Sequence, residues 1–275
     1  SESIEKAIDM NGVAVTQNTN AFNIGRKVVS DPHWIDTIDL YRSGSLASKP
    51  ILSSDALSLI DSISPDEELR KILEYRTQEL IEYQNLSYAK EYISFVGNIL
   101  EKEQKTRSSS ELSQNVAKYL FKLMATKDEY EVARLSLKTE LDSAISKEFG
   151  KSAKINYMLH PPFLKAMENI PILNMLPGVK SKLALGSWFK IFYVMLKNMK
   201  FLRGTIFDFM AWFSNDVRKA DKKALDHYKH VIMNNIDEIG NGKYQDLKDF
   251  SVLPDIIRGY EEVRLETMTE FYQKS

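Results

Sequence analysis

Five charged side chains, Lys127, Asp128, Glu129, Glu131 and Arg134, lie within two helical turns in the stretch KLMATKDEYEVAR, residues 122–134. Lys127 and Glu131 are four residues apart and Glu131 and Arg134 are three apart, so one helix would place all three on one face. Charges beside an apolar stripe tend to be paired or to meet a partner, and an enzyme of unrecognised type could use them. The residues alone favour a solvated helix face, in which each ion pair contributes roughly a few tenths of a kcal/mol.

Two histidines form the second candidate site. His227 and His230 are three residues apart, next to Asp226, and that spacing can present two imidazoles to one metal ion. Only two ligands of the right type are local, however, and His227 falls on the same apolar stripe as Ala224. The pattern therefore predicts a half-buried histidine at the edge of the core and no metal site.

Other signatures of catalysis or cofactor binding are absent from the sequence. It contains no G-x-G-x-x-G, P-loop, H-E-x-x-H or G-x-S-x-G motif, and no cysteine that could hold an iron–sulfur cluster. No catalytic, cofactor-binding or metal-binding residue is therefore predicted. The formal net charge of −1 gives no indication of nucleic-acid binding. A cytoplasmic location is expected, because cysteine is lacking and no leader sequence is visible.

A basic and aromatic stretch extends from Ile170 to Phe207, with six Lys or Arg residues and no Asp or Glu. The best candidate for a membrane span, Leu183–Met199, lies inside it but is interrupted by Lys190 and Lys197. We interpret the aromatic residues as core and the lysines as solvated, so membrane contact is not expected. A surface that binds a partner or a membrane is the alternative, and it would make the chain a stand-alone helical binding module.

Apolar periodicity predicts a mainly α fold, an irregular multi-helix domain with one or two short β-strands. Helices are expected to begin at Ser64, to run unbroken over 111–137, and to extend from Ser214 to Gly240. Short alternating runs predict strands near Val13 and at 155–159. The Asp31-Pro32 dipeptide marks a boundary between residues 1–31 and a helical domain of residues 32–275, since proline restricts the residue before it.

Six segments of the sequence are distinctive: NGVAVTQNTNAFNIGR at 11–26, LSYAKEY at 86–92, KLMATKDEYEVAR at 122–134, HPPFL at 160–164, FLRGTIFDF at 201–209 and LPDIIRGYEEVR at 253–264. In this order, they resemble segments of the fused, single-chain indolepyruvate (2-oxoacid) ferredoxin oxidoreductases. The first is similar to the end of the gamma-type domain of that family, and the others to the helical C-terminal domain of unassigned function that follows it. The runs KDEYEVAR and LRGT are the most specific of them.

The resemblance implies a parent enzyme that oxidatively decarboxylates 2-oxoacids with thiamine diphosphate and iron–sulfur clusters. Those sites belong to other parts of the family's chain, since the G-D-G…N-N diphosphate motif and all cysteines are missing here. The chain is therefore expected to be a non-catalytic structural or interaction domain that binds no cofactor. Its expected partners are the remaining domains of the parent, with ferredoxin or a second copy of the chain left open. Its expected structural or interdomain cluster consists of Lys127, Asp128, Glu131, Arg134 and Arg203.

Overall fold

The computed structural model describes residues 2–12, 15–31, 51–137, 157–159, 183–185, 189–208, 215–259 and 261–275. The chain divides into two compact units, residues 1–49 and residues 50–275. The predicted boundary at Asp31-Pro32 falls inside the first unit and stays a prediction. The segments HPPFL and 43–50 lie outside the described residues.

The first unit contains two helices, α1 (Glu2–Asn11) and α2 (Val15–Ser30). Gly12 follows α1 with a φ of 68°, a conformation that glycine adopts without steric cost. Arg26 of α2 donates a hydrogen bond to Glu5 of α1 at 3.2 Å. The prediction of a strand near Val13 is wrong from Val15 onward, where α2 begins. A helix forms its backbone hydrogen bonds within the same segment, whereas a strand would need a partner strand.

The second unit is mainly helical, which confirms the prediction of a mainly α fold. Its elements in chain order are α3 (Ser54–Asp61), α4 (Glu67–Tyr83), α5 (Leu86–Thr106), α6 (Glu111–Met124), α7 (Glu129–Ser136), β1 (Tyr157–Leu159), β2 (Leu183–Leu185), α8 (Lys190–Asn198), α9 (Asn215–Asn235), α10 (Tyr244–Val252) and α11 (Glu261–Lys274). Short 3-10 helices follow α8, α9 and α10, at Met199–Leu202, Ile236–Asn241 and Leu253–Ile256. The strands β1 and β2 pair antiparallel, with Met158 opposite Ala184.

Two helix boundaries differ from those expected. Helix α4 begins at Glu67 and not at Ser64, since the Asp66 side chain accepts the hydrogen bond from the Leu69 amide at 2.9 Å. The single helix expected over 111–137 is wrong, because the chain leaves the helical path at Ala125 and starts again at Glu129. There the side chain of Asp128 caps α7 by accepting from the Glu131 amide at 2.8 Å.

The larger core cluster of the second unit is formed mainly by α4, α5, α6, α9, α10 and α11. Among its fully buried side chains are Tyr92 and Tyr228, whose hydroxyls donate to the carbonyls of Ala117 at 2.8 Å and Ser251 at 2.9 Å. These bonds satisfy the polar end of each ring inside an apolar environment. A smaller cluster joins α7 to α8. None of the described helices carries an apolar run long enough to cross a bilayer.

Candidate functional site: a buried arginine cluster

Three arginines and six carboxylates meet where α4, α7, the 3-10 helix after α8, and α9 approach one another. We call this group the arginine cluster. Its members are Arg134, Arg203, Arg218, Glu79, Glu82, Asp128, Glu129, Glu131 and Asp208.

Arg134 on α7 has three carboxylate partners. Its Nε donates to Oε2 of Glu131 at 2.9 Å and its Nη2 to Oε1 of the same carboxylate at 2.8 Å. Nη1 donates to Glu82 at 2.7 Å, and Nη2 also binds Glu79, both on α4. The Arg134 side chain is only 6% exposed, so these carboxylates compensate a charge that has little contact with water.

Arg203, at the end of the 3-10 helix after α8, binds the start of α7. Its Nε and Nη2 donate to Oδ2 and Oδ1 of Asp128 at 2.6 and 2.9 Å, a two-point contact that a planar guanidinium suits. Its Nη1 donates to the carbonyl of Tyr83 at 2.6 Å and to the Gln84 side chain at 2.7 Å. The guanidinium carbon lies 3.7 Å from the centre of the Tyr83 ring, a cation–π contact. Arg203 therefore joins α7 to the connection between α4 and α5.

Arg218 on α9 completes the cluster. It binds Glu129 and donates from Nη1 to Oδ2 of Asp208 at 2.8 Å. The hydroxyl of Tyr130 donates to the other oxygen of Asp208 at 2.9 Å, and the Gly204 amide donates to Oδ2 at 3.0 Å. The Asp208 carboxylate is thus held by three donors from three separate segments.

The electrostatics of the cluster follow from burial and pairing. Burial lowers the pKa of Arg134, but its hydrogen bonds to Glu131 and Glu79 outweigh that effect and raise the pKa above its usual value. Burial raises the pKa of Tyr83 to about 12, with Asp128 adding to the rise and Arg203 opposing it. The guanidinium groups therefore stay charged and Tyr83 stays neutral at physiological pH. Such an arrangement fixes helices together and is poorly suited to proton transfer.

The structure brings together four of the five predicted cluster residues, Asp128, Glu131, Arg134 and Arg203. Lys127 is exposed and precedes α7, so it does not share a helix face with Glu131. Sequence reasoning missed the other members of the cluster. One signal was available: Asp128 and Glu131 have the spacing of a capping box, which predicts a helix start at residue 129. The members overlooked are Glu79, Glu82, Glu129, Asp208 and Arg218, together with Tyr130, which donates to Asp208.

The two histidines lie apart from this cluster, on α9. His227 is half-buried, as predicted, with its ring against Phe271 and Tyr272 and its Nε2 at 3.0 Å from the Ser275 hydroxyl. His230 is exposed and its Nε2 lies 2.9 Å from Nδ2 of Asn234. Within the described ranges, no group of three or more metal-ligating side chains occurs.

A second buried carboxylate, Glu103 of α5, caps the neighbouring helix α6. Its two oxygens accept hydrogen bonds from the amides of Leu112 and Ser113, both at 2.9 Å. The Ser113 hydroxyl donates at 2.6 Å and the Tyr244 hydroxyl of α10 at 2.8 Å. Glu103 thereby satisfies amides at the start of α6 that the helix itself leaves unbonded, and it ties three helices together.

Comparison with known proteins identifies the family to which the chain belongs. No curated protein and no solved structure matches the chain. A family model matches residues 69–274, which include α4, the cluster and α11. The chain therefore belongs to the family of unknown function DUF6537.

Proposed function

We propose that the chain is a non-catalytic structural or interaction domain of a thiamine-dependent 2-oxoacid (indolepyruvate) ferredoxin oxidoreductase. One observation carries the proposal. The two most specific segments of the resemblance, KDEYEVAR and LRGT, supply Asp128, Glu131, Arg134 and Arg203, which all belong to the arginine cluster. The segments that carry the resemblance contact one another in the folded domain. This contact favours the interpretation that the whole domain, and not only isolated segments, is related to that family.

The pairing within the cluster supports a structural role. The Arg134 and Arg203 side chains are almost fully buried and bind carboxylates or backbone carbonyls of the same unit. A catalytic arginine instead presents donors to a substrate in a water-accessible cleft. The cluster therefore favours the fixing of α4, α7 and α9 over substrate binding.

In this proposal, the redox chemistry takes place in other domains of the parent enzyme, and this chain has no part in it. The sequence has no cysteine, so it offers no thiolate to an iron–sulfur cluster. The parent by resemblance uses thiamine diphosphate and iron–sulfur clusters, and this chain is proposed to hold neither.

The decisive experiment is to sequence the gene on the 5′ side of the codon for Ser1. An open reading frame that continues into a thiamine-binding region, with its G-D-G…N-N motif, supports the proposal. A frame without such a region contradicts it and favours the alternative of a stand-alone helical module that binds a partner or a membrane surface.

Isothermal titration calorimetry of the purified chain with thiamine diphosphate and magnesium, and with ferrous iron, tests the division of labour. We expect no specific heat of binding in either titration. Saturable binding at micromolar concentrations of either ligand would show that the chain itself takes part in the chemistry.

A further inference from the structure

Helix α8 carries apolar side chains on opposite faces. Its inner face buries Tyr193 and Leu196 against Tyr130 and Ala133 of α7. Its outer face, offset by about half a turn, carries Ile191, Val194 and Met195, which are 78, 48 and 46% exposed. A helix with apolar side chains on two opposite faces is normally covered on both of them.

Further exposed apolar side chains follow the helix along the chain. Phe201 lies in the 3-10 helix that follows, and Ile206 and Phe207 lie in the next turn at 81 and 68% exposure. We call this set the outer patch, formed by Ile191, Val194, Met195, Phe201, Ile206 and Phe207. Side chains of these sizes expose on the order of several hundred Å² together, which approaches the ~800 Å² per partner of a standard interface.

The turn that displays Ile206 and Phe207 is fixed from within. Arg203 precedes it and Asp208 follows it, and both belong to the arginine cluster. The Thr205 hydroxyl donates to the Leu202 carbonyl at 2.7 Å, and the Phe207 amide donates back to that hydroxyl at 3.2 Å. Gly204 has a φ of 75° and binds Asp208 through its amide. A turn held this firmly loses little entropy when its exposed side chains bind a partner.

The charges around the outer patch favour a protein over a lipid surface. The sequence has no carboxylate between 170 and 207. Among the cations of residues 189–208, which the structure describes, two face inward: Arg203 binds Asp128, and Lys200 donates to the Glu82 carbonyl. Lys197 is exposed beside the patch. Binding to anionic lipid relies on several outward cations, whereas the core of a protein interface is poor in charge and rich in Phe and Met.

We propose that the outer patch is the surface through which this domain docks on another domain of the same oxidoreductase, one that offers an apolar face with an acidic edge opposite Lys197. This inference rests on the proposed function and identifies its partner. Apolar burial then supplies most of the affinity, and the charges on the edge guide the orientation.

The lack of cysteine provides a direct test, because one introduced cysteine is the only thiol in the chain. Met195→Cys places it in the outer patch, and Met233→Cys on α9 is the matched control, since the two methionines are 46 and 42% exposed. The rate of maleimide labelling is measured for the purified chain alone and with the separately produced polypeptide encoded upstream of Ser1. With that polypeptide at about ten times its Kd, we expect labelling of the Met195→Cys variant to slow about tenfold.

Labelling of the Met233→Cys variant should be unchanged, and adding Phe207→Asp to the Met195→Cys variant should restore the fast rate without lowering the thermal midpoint.

Three outcomes would overturn the docking inference: equal rates with and without the upstream polypeptide, protection by phosphatidylglycerol vesicles alone, or protection that rises with the concentration of the chain alone. An upstream thiamine-binding polypeptide that gives no protection removes the docking inference and leaves the proposed function standing. A reading frame without a thiamine-binding region removes the proposed function itself.

Discussion

The guanidinium of Arg203 binds the carboxylate of Asp128 through two hydrogen bonds of 2.6 and 2.9 Å, across 75 residues of sequence. The same carboxylate caps α7, so one side chain both starts a helix and holds the chain that follows α8. The position of α7 therefore depends on a distant residue as well as on its own sequence.

Glu131→Ala is expected to lower the free energy of unfolding by about 1–3 kcal/mol, because it removes two hydrogen bonds from the buried Arg134 guanidinium. The midpoint of urea unfolding, at unchanged slope, measures the effect. Glu101→Ala is the control, since its pair with Lys105 is exposed and screened by water and should contribute far less. Equal effects of the two variants would mean that Glu131 behaves as a solvated side chain.

Arg203→Lys should destabilise the chain by about 1–3 kcal/mol although it keeps the charge. Lysine cannot reproduce the two-point contact with Asp128 together with the bonds to Tyr83 and Gln84. Lys229→Arg is a useful comparison, because Lys229 forms one ion pair, with the exposed Glu91, and lies over the Phe95 ring, which an arginine can also do, so it should tolerate the exchange. A thermal midpoint of Arg203→Lys equal to that of the unaltered chain would argue against the geometric role of the guanidinium.

Glu103→Gln tests the buried cap of α6. The amide group of glutamine would turn N–H donors toward either Leu112 and Tyr244 or Ser113, all of which are donors themselves. We expect a loss of about 1–3 kcal/mol in the free energy of unfolding, measured by chemical denaturation. Gln114→Glu, at the residue after Ser113 on α6 and only partly buried, should change stability far less.

His227 predicts a pH dependence of stability. Burial, and to a smaller extent His230, lowers the pKa of His227 below 6.5, so the unfolded chain binds this proton more readily than the folded one. The stability that neutral His227 contributes is therefore present above the pKa it has in the unfolded chain. That stability is lost as the pH falls through the lower pKa of the folded chain. Between about pH 7.5 and about pH 5, the unaltered chain should lose stability relative to His227→Gln. His230→Gln should keep that loss, and a constant difference across the pH range would refute the assignment.

Deleting residues 1–49 should leave the second unit folded, because the described members of its core clusters all lie at Leu59 or later in the chain. Far-UV circular dichroism and a cooperative thermal transition measure this. If the first unit mediates a dimer, the shortened chain should also be monomeric by light scattering. A shortened chain that fails to fold would show that the first unit is part of the core.

The sequence alone determined that this protein is mainly helical, because the 3.6-residue apolar period is a local property that each segment carries by itself. It also determined that no thiolate chemistry occurs in this chain. The capping pattern of Asp128 and Glu131 was present in the sequence, yet the apolar period continues across 125–128 and conceals the break. Local sequence patterns therefore predict the type of secondary structure more reliably than the residues at which an element begins and ends.

Only the tertiary structure decided the composition of the arginine cluster. Glu79 and Glu82 lie on a helix with several other charged residues, and no local feature of the sequence distinguishes them from those neighbours. Their contacts with Arg134 bridge 55 and 52 residues, and that of Arg218 with Glu129 bridges 89. Such pairs form only when packing brings distant helices together and removes water, which turns weak surface charges into buried partners that must be matched.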